Sequence, residues 1–237
     1  VNSANRHSPQ QTLLFKIVAF LSHLQIGYLV RSLKNPRFVI FLFTVSAGAS
    51  ALAIITTIAY LTNLPLLFPP LGPSAVILFY MPMSATASPR NLILGHGISL
   101  LSGLFSLHLL AMLLPDSSVL DPSVMNYARI IAISLAMGFA TAFMILFRCI
   151  HPPAAATSLI AAMGFLENAI QAIGLISAVV LLVFEAFFFI RIIGGIPYPY
   201  WRFDPRVAIH YKDLSGRSES IKTNWEELSK QIFQHRK

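Results

Sequence analysis

An all-helical polytopic membrane protein is predicted by three observations: an apolar composition, four long stretches almost free of charge, and basic residues concentrated at the chain ends. Hydrophobic residues make up 56% of the 237 and charged residues 11%, with a mean hydropathy of +0.70. A soluble domain carries roughly 25% charged residues, so this chain cannot build a water-facing surface of ordinary kind. Residues 38–190 contain only Arg90, Arg129, Arg148, Asp116, Asp121, Glu167 and Glu185. Five Lys/Arg lie in residues 1–37 with no acid, and nine lie in 191–237 beside five acids. Basic flanks around an apolar block are the positive-inside pattern of a membrane protein. The net charge of +8 thus belongs to the flanks and does not point to nucleic acid as a partner. The single cysteine, Cys149, excludes an internal disulfide and any multi-cysteine metal site.

The elements follow in order. Residues 1–37 form a cytoplasm-side segment. Within it Leu13, Leu14, Ile17, Val18, Leu21, Leu24 and Tyr28 make the apolar stripe of an interfacial amphipathic helix. The transmembrane domain, 38–193, holds long apolar stretches at about 38–62, 90–114, 127–147 and 168–193, each near the ~20 residues a helical crossing needs. Ser88-Pro89 supplies an N-cap and first-turn proline for the second stretch, and Asp121-Pro122 reads the same way before the third. Two shorter apolar segments, Leu64 to Met81 and Cys149 to Leu166, are interrupted by Pro69-Pro70 and Pro152-Pro153. A double proline removes backbone donors and clashes with the preceding turn, so neither segment is one continuous helix. Gly194-Gly195 ends the last stretch, and Tyr198, Tyr200 and Trp201 suit the headgroup level. The tail, 194–237, carries a short amphipathic helix with Trp225, Leu228, Ile232 and Phe233 on one face and Thr223 and Glu226 at capping-box spacing.

If each broken segment crosses with the long ones, there are six passes and every basic residue except Arg129 lies on one side. If the broken segments are re-entrant there are four crossings, and the loop 115–126, with two acids and no base, falls on the positive side. The charge pattern favours six. A gapless match of Phe68-Pro69-Pro70-Leu71-Gly72-Pro73-Ser74 with His151-Pro152-Pro153-Ala154-Ala155-Ala156-Thr157 divides the domain into repeats 38–114 and 127–193. Three passes per repeat make the repeat inverted, an architecture of secondary transporters and some channels. A helix that starts just past Pro-Pro inside the bilayer leaves amides without partners, and its positive dipole end favours a small anion. Candidate ligands are Leu71, Gly72, Ser74 and Ala75 in the first break, and Pro153, Ala154, Ala155, Thr157 and Ser158 in the second. The plain structural alternative makes the breaks mere turns, with Ser74 and Thr157 as caps.

The stretch Cys149-Ile150-His151-Pro152-Pro153-Ala154-Ala155-Ala156-Thr157 resembles the signature of the HPP family of integral membrane proteins. Phe68 to Val76, with Ser88-Pro89-Arg90-Asn91 and Gly95-His96, is similar to that family's first half, and the resemblance covers about residues 36–195. The family is usually described with four transmembrane helices, the number reached when broken segments are not counted. Members of cyanobacteria and chloroplast envelopes are implicated in nitrite transport. The resemblance therefore implies a nitrite transporter of a cyanobacterial inner membrane or a chloroplast inner envelope.

Ionisable groups at membrane depth are functional candidates by default. His151, immediately before the second break, and His96, between Gly95 and Gly97, are candidates for binding the anion and for proton coupling; His108 sits nearer its helix end. Glu185 is a third proton-coupling candidate, either in a relay with a histidine or as a structural ion pair with a base such as Arg191. Arg90 and Arg148 read as snorkelling or as anion-gathering residues, and Asn91 as a cap. Ser46, Gly48, Ser50, Ser99, Gly103, Gly138 and Ala142 read as small-residue packing positions of the bundle. The leading function is a transporter or channel for a small monovalent anion, not an enzyme, with no cofactor. Its partners are the anion and membrane lipid, and a homo-oligomer fits its small-residue faces. The competing readings are an intramembrane metal enzyme using His96, His108, His151 and Glu185, and a membrane scaffold acting through its tails.

Overall fold

The computed structural model describes Phe20, His23, residues 25–166 and residues 168–208, without the Arg31 side chain. Glu167, the N-terminal stripe before Tyr28 and the expected tail helix lie outside these residues. Regular structure among them is entirely helical: α1 (Ile26–Ser32), α2 (Arg37–Thr62), α3 (Leu71–Tyr80), α4 (Pro89–Leu113), α5 (Tyr127–Leu146), α6 (Ala154–Ala162), α7 (Ala169–Ala186) and α8 (Pro205–Ala208). A 3-10 turn, Ala85–Ala87, precedes α4, and π-helical turns, Phe187–Ile193, extend α7. Four helices are long and apolar enough to cross a membrane, Arg37–Thr62, Pro89–Leu113, Tyr127–Leu146 and Ala169–Ile193.

The two broken segments carry shorter helices of 10 and 9 residues. At 1.5 Å per residue they are about 15 and 14 Å long, half of a ~30 Å hydrocarbon core. Non-helical chain supplies the rest of each path. Pro65 lies against Gly174, in the second turn of α7, while Phe79 at the other end of α3 accepts from Thr44 Oγ1 at 3.2 Å, two turns into α2. The first segment therefore runs from the far end of the bundle, where α2 stops and α7 starts, back to the near end. The second runs the other way. It leaves the near end beside Arg90 and reaches the far end at Met163, whose carbonyl bonds Arg129 in the first turn of α5. Each half thus holds three traverses of the bundle, and the two halves run in opposite senses.

Packing does not respect the repeat boundary. The most extensive contacts of α4, the last helix of repeat one, are with α5 and α6 of repeat two, while α7 packs on α4, α2 and α3 of repeat one. Small residues make this possible, because helices in lipid associate through close van der Waals contact. On α5 the fully buried Ala132, Ala136 and Ala140 recur every fourth residue. A Cβ at Gly103 of α4 would lie 2.5 Å from Ala161 Cβ and from the Ser158 carbonyl of α6. Not every expected small residue does this. Gly138 has open space at its Cβ, and with Ala142 it faces outward because the alanine ladder of α5 is the face α4 takes; Ser46 and Ser50 face outward from α2.

Local chemistry corrects two expectations at the helix starts. The third long helix begins at Tyr127, capped by Asn126, whose side-chain oxygen accepts from Arg129 N at 2.9 Å. Asp121 makes its own turn instead, accepting from the Ser123 amide and hydroxyl, and these bonds hold its carboxyl below the usual range. Ser88 does occupy the N-cap of α4, yet its hydroxyl donates back to Ala85 O rather than into the helix. In α1 Tyr28 is exposed, and it is Ile26 that the bundle buries, beside a Gly27 amide bonded to Gly194 O.

Arg129, the one arginine or lysine at the far end among the described residues, is 1% exposed. Its guanidinium donates to the carbonyls of Val124 (2.7 Å), Val119 (2.6 Å), Asp121 (2.5 Å) and Met163, tying the 114–126 loop to the end of α6. Carbonyl dipoles rather than a carboxylate meet its charge. Arg129→Met leaves those oxygens without a donor in a dry site and is expected to cost at least ~3 kcal/mol, read as a lower thermal unfolding midpoint in detergent. Gly103→Leu should lower the same midpoint by overpacking, a cost of about 1–3 kcal/mol or more, while Gly138→Leu leaves it unchanged.

Candidate functional site

The two breaks meet in one buried polar cluster. Pro70 ends the first break, and four residues on, in the first turn of α3, Ser74 is fully buried with its Oγ 2.8 Å from the Pro70 carbonyl. That oxygen also lies 2.9 Å from His151 Nε2 and 3.2 Å from His96 Nε2. His96 projects from the second turn of α4, and its Nδ1 is 2.8 Å from Thr157 Oγ1 in the first turn of α6. His151, one residue ahead of Pro152-Pro153, places Nδ1 2.8 Å from the Thr86 carbonyl in the 3-10 turn. The imidazole centroids are 5.3 Å apart, and His96, His151, Ser74 and Thr157 are all 0% exposed.

The repeat explains part of this geometry. In the gapless match Ser74 and Thr157 are equivalent, and both hydroxyls bond the same ring, one at each nitrogen of His96. One imidazole thus bridges equivalent positions of two inverted halves. His151 has Phe68 as its counterpart, so the second imidazole belongs to repeat two alone. Gly95 is needed here, since a Cβ on it would sit 3.0 Å from His151 Cβ.

The other expected ligands surround the cluster without pointing polar groups into it. Leu71, Ala75, Pro153, Ala154 and Ser158 are buried, and Gly72 and Ala155 partly so. Ser158 bonds the Ala155 carbonyl at 2.8 Å. A Cβ added at Gly72 would meet nothing within 4 Å, so no close approach requires a glycine there. First-turn amides are already occupied: Leu71 N bonds Phe68 O, Gly72 N bonds Pro69 O, Ala154 N bonds His151 O and Ala155 N bonds Pro152 O. The polar groups concentrated at the break are therefore hydroxyls and imidazoles.

Arg90 and Asn91 clamp the chain that leads to His151. Arg90 Nη1 and Nη2 donate to the carbonyls of Arg148 (2.7 Å) and Phe147 (2.8 Å), and Asn91 Nδ2 donates to Ile150 O at 3.3 Å. Arg148 stands at a φ of 51°, the left-handed turn that ends α5 and exposes these oxygens. Behind Thr86, Ala87 O accepts from Tyr198 Oη at 2.7 Å. Tyr198 lines a near-end pocket of about 280 Å³ shared with Arg191, Tyr200, Arg202 and Asp204.

His108 faces outward and bonds the Leu104 carbonyl of its own helix. Glu185 is 7% exposed with neither oxygen hydrogen-bonded, so the structure gives it neither the histidine relay nor the ion pair expected. Arg191 instead donates to Tyr198 O at 2.6 Å and lies over the Tyr200 ring. Among the described residues no three His, Cys, Asp or Glu side chains gather where a metal could be held. Sequence reasoning missed the Thr86 carbonyl; the small, polar run Ser84 to Ser88 was its one signal. Ser99, expected only to pack, carries a buried hydroxyl without a partner one turn beyond His96.

No match was found among curated proteins or among solved structures. The family model described as HPP, transmembrane region, matches residues 33–199, the span that contains α2 to α7 and every member of the buried cluster. The chain is an integral membrane protein and belongs to the HPP transmembrane family.

Proposed function

We propose that this protein is a transporter or channel for a small monovalent anion, with nitrite the favoured substrate, and that the His151–Ser74–His96–Thr157 cluster is its selective point. The observation that carries the reading is that two opposed broken helices contribute equivalent hydroxyls to one imidazole at membrane depth. Buried polar groups in lipid are expensive, and a bundle that only needed turns would gain nothing from a paired imidazole site. Hydroxyls and imidazoles replace hydration around an anion of a few atoms, and a protonated imidazole supplies the balancing charge. With the first-turn amides engaged, these side chains rather than the backbone are the ligands. Arg191 and Arg202 at the near-end pocket would raise the local anion concentration. Nitrite among such anions is favoured by the likeness of the two proline motifs to those of nitrite-transporting relatives.

The test is anion uptake into liposomes holding the purified chain, for nitrite, formate, nitrate and chloride, with and without a pH gradient. Nitrite flux in the wild type should fall roughly tenfold or more in His151→Ala, the scale of one charge-assisted hydrogen bond removed. Dependence on the gradient identifies proton coupling, and independence identifies a channel. No flux of any anion from inserted, folded protein overturns the reading, as does full flux in His151→Ala.

A further inference from the structure

Five contacts surround the two imidazoles: Thr86 O with His151 Nδ1, His151 Nε2 with Ser74, Ser74 with His96 Nε2, His96 Nδ1 with Thr157, and Ser74 with Pro70 O. Two neutral imidazoles and two hydroxyls bring four protons to them, because each neutral ring carries one N–H and each hydroxyl one O–H. One contact must then stay empty. The carbonyl of Thr86 only accepts, so a neutral His151 carries its proton on Nδ1 and turns a bare Nε2 toward Ser74. The Ser74 proton goes to that nitrogen. His96 then donates from Nε2 to Ser74 Oγ, and Thr157 donates to His96 Nδ1. The empty contact falls on Pro70, where it costs least, since that carbonyl keeps the Ser74 amide at 3.3 Å.

A fifth proton fills every contact. It adds to the His151 Nε2 lone pair, forming an N–H bond and a cation without breaking any bond. Ser74 Oγ then accepts from both rings, and its own proton turns to the Pro70 carbonyl. We propose that this cluster is a binding site for a single proton, taken up at His151, with the Ser74 hydroxyl as the switch that reports its arrival to the first break. His96 is the poorer acceptor of that proton, because its Nδ1 is already served by Thr157.

The surroundings leave this assignment to the cluster. From α3 comes Ser74, with Tyr80 exposed at the other end of the helix; from the 3-10 turn and from α6 come no ionisable side chains. From α4 come His96, the outward His108, and Arg90, which is engaged with the Phe147 and Arg148 carbonyls. The segment of His151 itself adds Arg148 and the buried Cys149, and α5 adds the exposed Tyr127 and, at the far end, Arg129. α7, packed on α3 and α4, adds Glu185, whose buried carboxyl bonds neither imidazole, and beyond it Arg191 and Tyr198 are engaged with the Tyr198 and Ala87 carbonyls. The inference rests on the transport reading for its use, since a positive cluster is what a monovalent anion can neutralise in passage.

Nitrogen-15 NMR of the histidine-labelled full chain in lipid nanodiscs tests the site without measuring flux, with lines assigned from His96→Gln and His151→Gln. At neutral pH, His151 should be protonated at Nδ1 and His96 at Nε2. On acidification, His151 alone of the pair should gain a second N–H first. In Ser74→Ala, His96 should lose its fixed tautomer and show both forms, and Ser74→Thr should restore one. A neutral His151 protonated at Nε2, or a His96 tautomer indifferent to Ser74→Ala, overturns the proposal. Failure of nitrite flux leaves these spectra unaltered, and wrong tautomers leave the flux result standing, so the two failures are read apart.

Discussion

A chain broken twice inside an apolar bundle has to re-satisfy each polar group the breaks release, and this requirement organises the molecule. Lipid offers no donors or acceptors, so an unmet group costs several kcal/mol. The backbone share is met locally, by tight turns across each Pro-Pro pair. The side-chain share cannot be met that way, because Ser74 and Thr157 lie on different helices that run in opposite directions. His96 meets both from a third helix. Its ring is fixed at two nitrogens by two repeats, and the position of α4 follows from it. The closeness of α4 to α6 then demands Gly95 and Gly103, where any side chain would collide with His151 or Ala161.

The near end shows the same economy with charge. The left-handed turn at Arg148 leaves the carbonyls of Phe147 and Arg148, just past α5, without helix partners, and a non-glycine residue in that conformation carries strain of about 1–3 kcal/mol. Arg90 takes both carbonyls with one guanidinium. Its aliphatic reach keeps the charge at the bundle end, while its fork fixes the approach of Cys149 and Ile150 to the break. His151 is therefore placed from two directions, by the clamp behind it and by the Thr86 carbonyl beside it.

Much of this was legible in the residues. Apolar length defined the four long helices, because twenty residues free of charge have few other uses. Pro69-Pro70 and Pro152-Pro153 located the breaks, and the gapless match paired Ser74 with Thr157 by position alone. His96 and His151 stood out as ionisable groups in apolar sequence. What the sequence withheld depends on long-range partners. Nothing near Arg129 announces that carbonyls from three loop residues and from Met163 converge on it. Asp121 and Asn126 are both good caps, and only the Asp121 turn with Ser123 decides between them. Small residues such as Gly138 and Gly103 look alike in a string; which one meets a neighbour depends on the rotation of its helix. Thr86 acts through its backbone, which no side-chain pattern encodes.

The exchange of α4 and α7 between the halves sets where the molecule can part. One group consists of α4, α5 and α6, the other of α2, α3 and α7, with α7 also packed on α4 between them. Ser74 belongs to the second group, while His96, His151 and Thr157 belong to the first. Between the two groups, the Ser74 hydroxyl stands on one side and the two imidazoles on the other, so the contacts of Ser74 with His96 and His151 join them, while the bond between His96 and Thr157 lies within one group. The same exchange means that a cut in the 114–126 connection would part α6 from α4, the helix that packs on it most, while α3 would keep α2.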